Sequence, residues 1–380
     1  MTTFLLYDDA LRSPEMRHEI GEPIMDPLVF LEHDGKRLIV GSDFEKPIFE
    51  KREDVVDEFW NIHDLGFEEL MRDRSLPEHL IGPELLRRAL ERLGAVKAVV
   101  PGSFQVLVAD YLRDRGIELV VDEEAWSFRR RRKTPWEIEG IERAQRAAET
   151  AMLTGARMLR EAAPTPTGTL RFEGEILTAE MIREAMVAEL LSQGCDSEDI
   201  LVHSGDACLA GHDPGTGPIL PNASCIIDCF PRDRRTGTFA DMTRTFVPGT
   251  PSEELKKLHA HCRAALDIAL NAIRPGENGV HGRVVEYFHE QGLPTREHHD
   301  GPGALREGFT HSLGHGVGLQ VHEKPWVGRR PDPLEEGDVI AIEPGLYFRG
   351  VGGVRLEDTV LVTAEGAEFF TEPYPYDLAP

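Results

Sequence analysis

At 380 residues, 41% apolar and 29% charged, the chain has the balance of a soluble globular protein, long enough for two domains. Its formal net charge of −25 repels phosphate over most of the surface, which argues against a general binder of nucleic acid or of anionic membranes. No apolar run is long enough to span a membrane, the N-terminus lacks an export pattern, and five cysteines outside any framework spacing read as reduced thiols, so the expected location is cytoplasmic.

Residues 28–31 and 38–40 are apolar runs around Asp34-Gly35, a hairpin signal. Helical periodicity follows at 67–74 and 83–93, the second closed by Gly94. Residues 98–100 and 119–121 read as buried strands with a helix, 104–115, between them. Strands alternating with helices predict a small α/β domain over residues 1–128. The one dense basic run, 129–133, directly precedes Thr134-Pro135-Trp136-Glu137, a helix start with proline in its first turn. It therefore reads as a solvated linker face at a domain seam rather than a nucleic-acid signal.

The second domain, residues 129–380, opens with two helices: 137–163, closed by Pro164 and Pro166, and 177–193, closed by Gly194. Strands are expected at 200–205, 225–230 and 237–246. The last two flank a polar turn, so Asp228 and Asp241 could face one another across a hairpin. Two more helices, 253–273 and 280–291, lead to further strands. Two helices then strands, twice over, make a weak internal duplication.

Within this domain the stretch from His311 to Glu323 is the centre. It sets His311, His315 and His322 among Gly314, Gly316 and Gly318, and glycine there lets backbone pass close to a ligand or another strand. Acidic residues lie on both sides: Asp228 and Asp241 upstream, Glu343 and Glu357 downstream. Each sits in or beside an apolar run that reads as a strand, where a carboxylate is expensive to desolvate unless paired or bound to a cation. Four such carboxylates around a glycine-framed histidine point to a metal site assembled from separate strands.

These residues resemble the metallopeptidase family that contains methionine aminopeptidase, aminopeptidase P and prolidase, the pita-bread fold. The resemblance covers about residues 134–372, and it implies an α/β (α+β) chain in which a creatinase-like N-terminal domain precedes the catalytic one. It implies Asp228, Asp241, His315, Glu343 and Glu357 as ligands of two divalent metal ions, with Asp241 and Glu357 bridging. His311 and His322 match two further active-site histidines, His212 follows the Ser204-Gly205 pair as in the family pattern, and Arg355 fits the Arg-x-Glu-Asp of the proline-specific branches. Three departures stand out: Asp228 and Asp241 are thirteen residues apart, wider than usual in the family; Cys229-Phe230 follows Asp228 where the family usually shows a glycine two positions on; and the segment 165–175 looks long. A homodimer is also implied by the resemblance.

Four carboxylates balance two dications, and oxygen ligands with one imidazole suit Mn²⁺, with Co²⁺ or Zn²⁺ as alternatives. A water shared by such ions loses its proton near neutral pH and can attack a peptide carbonyl. Glu343 is the candidate general base, and His212 and His322 the candidate donors to the developing oxyanion. His311, His212 and Arg355 are the candidate substrate-binding residues; His203 reads as structural. The function implied is hydrolysis of Xaa-Pro bonds in proline-containing di- or oligopeptides, most simply by a dipeptidase (prolidase). The alternatives are an aminopeptidase P on longer peptides, a creatinase-like amidinohydrolase, and a non-catalytic binding scaffold on the same fold. Loss of metal ligands would mark either of the last two, and this chain keeps all five.

Overall fold

In the computed structural model, which describes residues 2–211 and 213–380, the Asp34-Gly35 turn closes the hairpin expected of it. Both residues are left-handed, with φ of 51° and 79°, the geometry of a two-residue hairpin loop. A strand absent from the sequence reading, β1 (Thr3–Asp8), precedes the hairpin strands β2 (Leu28–His33) and β3 (Lys36–Gly41). With β4 (Glu58–Asn61), β5 (Lys97–Val100) and β6 (Glu118–Val121) they form a six-stranded sheet in the order β4-β3-β2-β1-β5-β6. Its two faces feed different cores: Leu5, Leu31 and Val40 pack in one, Leu6, Phe30 and Ile39 in the other. A sheet covered on both sides explains why its strands read as unbroken apolar runs rather than alternating ones. Helices α1 (Ile81–Leu93) and α2 (Val106–Arg113) cover the first face, and Gly94, at φ 70°, stops α1. This compact unit spans Met1–Arg130; a second spans Arg131–Pro380.

The basic run is not a solvated linker. Its first three residues end a helix, α3 (Glu123–Arg131), and their guanidinium groups are drawn into ion pairs. Arg129 Nη2 lies 2.8 Å from both Glu19 and Glu32, and Arg130 reaches Glu15 at 3.4 Å. In the second unit Arg131 forks onto Asp338 at 2.9 and 2.6 Å. Single-sequence charge counting cannot see partners that lie more than a hundred residues away.

The second unit repeats one plan. Helices α4 (Pro135–Glu161) and α5 (Ala179–Ser192) pack on a three-stranded sheet of β7 (Ile200–Ser204), β8 (Cys225–Cys229) and β9 (Met242–Phe246). Thr134 and Glu137 cap α4 reciprocally. Helices α6 (Glu253–Ala272) and α7 (Val280–Glu290) pack on a second sheet. It is built from β10 (Gly314–Gly316), β11 (Glu323–Val327), β12 (Val339–Ile342), β15 (Asp358–Thr363) and β16 (Gly366–Phe369), in the order β11-β10-β12-β15-β16. A two-stranded ribbon, β13 (Gly345–Phe348) with β14 (Gly352–Arg355), branches from it. Gly314 and Gly316 are strand residues: an added Cβ would lie 2.0 Å from Ala341 O and 2.2 Å from Lys324 O. Their glycines buy close strand packing, which fixes His315 between them.

The register corrects one expectation. Asp228 stands opposite Thr243, not Asp241. Asp241 precedes β9, two residues from Thr243 and therefore on the same face, diagonal to Asp228. The wide spacing of the two aspartates is absorbed by a turn in which Asp233 accepts Thr236 N at 2.9 Å and Gly237 N bonds Asp233 O at 2.7 Å.

Candidate metal centre

Three of the carboxylates sit where one strand hands over to the next. Asp241 is the residue before β9, Glu343 lies between β12 and β13, and Glu357 lies between β14 and β15. Such junctions let a side chain leave the sheet while the backbone stays anchored: Glu343 N bonds Leu313 O at 2.8 Å, Glu357 N bonds Thr243 O at 3.0 Å, and Asp241 N bonds Thr359 Oγ1 at 3.0 Å. These bonds tie both halves of the unit together around one cavity of about 480 Å³. Asp228, Asp241, His315, Glu343 and Glu357 all line it, as do His311, His322 and Arg355. His212 lies outside the described residues.

One ligand atom each from Asp241, His315 and Glu357 fall within 4.8 Å of one another. His315 Nε2 is 3.8 Å from Asp241 Oδ2 and 3.9 Å from Glu343 Oε1. Asp228 stands slightly apart, in a short ion pair between its Oδ2 and Arg355 Nη2. The other oxygens are the informative ones: among the described residues, Asp228 Oδ1 and Asp241 Oδ1 are buried without a hydrogen-bond partner. A buried carboxylate oxygen left unmatched is costly. The donor set of four carboxylates and one imidazole is that of a hard divalent cation, so the residues present fit such an ion.

Electrostatics point the same way. Burial raises Asp241 and Glu357 well above the usual carboxylate range, and neighbouring carboxylates add to it: Glu357, Asp228 and Glu343 around Asp241, and Glu343 and Asp228 around Glu357. Burial also lifts Glu343 to about 8, against the pull of the Arg355 guanidinium. The histidines move oppositely, because burial disfavours their charged form. His315 is pushed down to about 3, with His322 beside it as a second cause, and His311 to about 4, with Arg355 adding to the effect. His315 Nδ1 lies 3.1 Å from Gly316 O. A carbonyl only accepts, so Nδ1 carries the proton and Nε2 turns its lone pair to the carboxylates, the tautomer a metal ligand needs.

His311 is organised differently. Its Nδ1 donates to Ser312 O at 2.8 Å and its Nε2 accepts from the Tyr347 hydroxyl at 3.0 Å. Arg355 Nη1 donates to that same hydroxyl at 3.0 Å, and Arg355 Nε reaches Thr243 Oγ1 at 3.3 Å. Thr243 Oγ1 in turn donates to Glu357 Oε2 at 2.6 Å. His322 is exposed, its ring edge-on to His315 with centroids 4.3 Å apart. His203 is buried and bonded to Asp213 O, a structural tie. Tyr347 and Thr243 did not emerge from the sequence reading. The signal existed: Tyr347 is four residues after Glu343 and Thr243 two after Asp241, so strand alternation puts each on its carboxylate's face.

Residues 139–364 match the family model described as metallopeptidase family M24. An Xaa-Pro dipeptidase of Pyrococcus horikoshii is 39% identical over 140 residues, 35% of each chain. The chain aligns with about a third to a half of the length of the first curated relatives it matches. A prolidase structure from Pyrococcus furiosus superposes with a TM-score of 0.73 at 21% identity, covering 99% of this chain and 97% of that one. An X-Pro aminopeptidase structure from Thermotoga maritima gives 0.75 at 21% identity with the same coverage. At these identities the structures establish the fold: an N-terminal α/β domain followed by the pita-bread domain.

Proposed function

The chain belongs to metallopeptidase family M24, a metal-dependent family, and from that premise we propose that it is an exopeptidase that hydrolyses Xaa-Pro bonds, acting as an Xaa-Pro dipeptidase. The observation that carries this is the pair of buried oxygens on Asp228 and Asp241 that find no match among the described residues, in a cavity lined also by His315, Glu343 and Glu357. Asp228, Asp241, His315, Glu343 and Glu357 would hold two divalent ions, Mn²⁺ first by ligand hardness. When bound, such ions polarise a scissile carbonyl and lower the pKa of water.

The remaining roles belong to the chain itself. Glu343, in the cavity lining beside the other carboxylates, is placed to hold a proton and pass it toward the leaving proline nitrogen. Arg355 keeps Asp228 Oδ2 occupied, so that Oδ1 is the oxygen left for a cation. Thr243 fixes Glu357 in the same way. His311, with both nitrogens committed, forms a neutral wall for the proline ring together with Tyr347. His322, at the exposed edge of the cavity, is the candidate donor to developing charge on the substrate, a role His212 would share. A tertiary Xaa-Pro amide has no N–H to engage and a fixed ring, so a preformed wall and strong carbonyl activation suit it. The homodimer implied by the resemblance and the cytoplasmic location read from the unframed cysteines belong to this same reading; no described helix is long and apolar enough to cross a membrane.

The test is turnover of Ala-Pro, Gly-Pro, Leu-Pro and a longer Xaa-Pro-Xaa peptide after chelation and metal return. Activity on the dipeptides, silenced by EDTA and restored by Mn²⁺ or Co²⁺, is the expected result. Preference for the longer peptide would move the assignment to aminopeptidase P, and metal-independent turnover would end it.

A further inference from the structure

The third glycine of the histidine stretch faces side chains, where the first two face backbone. A Cβ on Gly318 would lie 2.6 Å from Glu323 Oε1 and 2.8 Å from Lys133 Cε, so this glycine leaves room for a pair of charged groups. Lys133 Nζ lies 2.5 Å from Glu323 Oε1, and each side chain is 2% exposed. Lys133 ends the basic run and directly precedes Thr134, the cap of α4. Two charges buried in this way add little net stability, because their desolvation offsets their attraction. What the pair does supply is geometry: separating the partners leaves a charge out of water, so the two stay locked together.

The geometry it fixes is that of the turn 317–322, which joins β10 to β11. Glu323 stands opposite Gly316, where the register shifts between His315 and Gly316. Its other oxygen, Oε2, accepts Gln320 N at 3.2 Å, and Gly318 N bonds Gln320 O at 3.1 Å, so the turn folds back onto the ion pair. The base of the turn is tied as well: Val317 N bonds Val339 O at 2.9 Å, and Phe239 N bonds Gly318 O at 2.7 Å. His322 is the last residue of this turn. Successive residues of an extended chain point to opposite sides, and here Glu323 reaches inward to Lys133 while His322 lines the cavity, its ring centroid 4.3 Å from that of His315. The exposed His322 is therefore anchored by its buried neighbour.

We infer that Lys133, acting through Glu323, positions His322 at the edge of the cavity. This rests on the peptidase reading above and on the donor role given there to His322. Neither Lys133 nor Glu323 lines the cavity, so Lys133 is a positioning residue whose effect falls on the step that needs His322. A misplacement of about 1 Å in a catalytic group can cost about 10²-fold in rate. A donor that serves developing charge acts in the transition state, so its displacement lowers kcat and leaves ground-state binding and the metal ligands as they were.

The experiment measures kcat and KM for Ala-Pro in the Mn²⁺-loaded full chain, with Lys133→Met and Gly318→Ala each made in the wild type and in His322→Ala. Lys133→Met keeps the aliphatic stem and removes the charge. Gly318→Ala keeps both charges and wedges a methyl group against them; the atoms it meets are ends of flexible side chains and its φ lies outside the left-handed region, so the fold is expected to tolerate it. In the wild-type background each change should lower kcat about 10- to 100-fold, with KM and the number of Mn²⁺ ions bound unchanged. In the His322→Ala background each should lower kcat by less than about 3-fold, because changes that act through one group do not add. A purely structural pair would instead give the same loss in both backgrounds, which overturns the inference, as does a wild-type kcat in both Lys133→Met and Gly318→Ala. If Lys133→Met does not fold, Gly318→Ala decides alone. A His322→Ala enzyme with wild-type kcat also overturns the inference but leaves the peptidase reading standing, whereas a wild type that cleaves no Xaa-Pro peptide overturns that reading itself.

Discussion

Glu84, in the first unit, and Glu343, in the second, are both glutamates largely removed from water, yet they titrate in opposite directions. Burial works against the charge of Glu84, but hydrogen bonds from Arg87, Tyr111 and Arg88 outweigh it and bring its carboxyl down to about 2. Burial likewise works against Glu343, and the single guanidinium nearby does not compensate, so its carboxyl rises to about 8. The first unit matches that buried acid to its cations within the chain. The second concentrates Asp228, Asp241, Glu343 and Glu357 in one cavity, where Arg355 pairs with Asp228 alone among them. A self-sufficient ion pair holds structure, whereas a deficit of positive charge reserves space for a cation from outside.

Removing the reserved chemistry should have the largest effect. Glu343→Gln is expected to cut Xaa-Pro turnover by at least about 10²- to 10⁴-fold, with an unchanged circular-dichroism spectrum; turnover within a few-fold of wild type would contradict its role. Thr243→Val removes the donor that orients Glu357, and metal affinity measured by calorimetry should fall about 10- to 100-fold. Unaltered affinity would show that the Glu357 carboxylate does not need that support. On the other side of the comparison, Glu84→Gln should cost about 1–3 kcal/mol in denaturant unfolding and leave metal affinity untouched. If instead it stabilised the protein, the first unit would not be the self-sufficient one.

Much of the cavity lining could be read from the chain because its candidate ligands occur in short local patterns. Asp228 and Glu343 each end an apolar run, His315 is framed by glycine, and a carboxylate at such positions has few structural uses. The partners could not be read. Arg355 reaches Asp228 across 127 positions, and nothing near either residue announces the pair. Arg129 and Arg131 read as solvated because their acids, Glu19 and Asp338, are equally remote. The diagonal placing of Asp228 and Asp241 depends on where β9 begins, which the alternation of 237–246 leaves open by two residues of register. β1 was missed because Thr3–Asp8 becomes a central strand only through pairing with both β2 and β5.

The smallest effect expected is a pH dependence. In the metal-free protein Glu343 is raised to about 8, above the ~4.3 of a free glutamate. The folded state then binds more protons than the unfolded state between those values, so stability falls as pH rises through that range. His311 and His315, lowered to about 4 and about 3, act with the opposite sign, but only below about 6.5. From pH ~6.5 to ~8 the carboxylates act alone, and unfolding stability of the metal-free form should decline by about 1 kcal/mol per pH unit for each proton released. Saturation with Mn²⁺ should abolish the slope; persistence of the slope would mean that the cation binds elsewhere.

Titration calorimetry of Mn²⁺ into metal-free protein at pH 7, in two buffers of different ionisation enthalpy, tests the charge deficit most directly. The expected result is binding of two ions with net proton release, because ligands must deprotonate to bind, and loss of that binding in Asp241→Asn. Absence of saturable binding, or uptake of Mn²⁺ that Asp241→Asn leaves intact, would contradict a cation site built from these carboxylates.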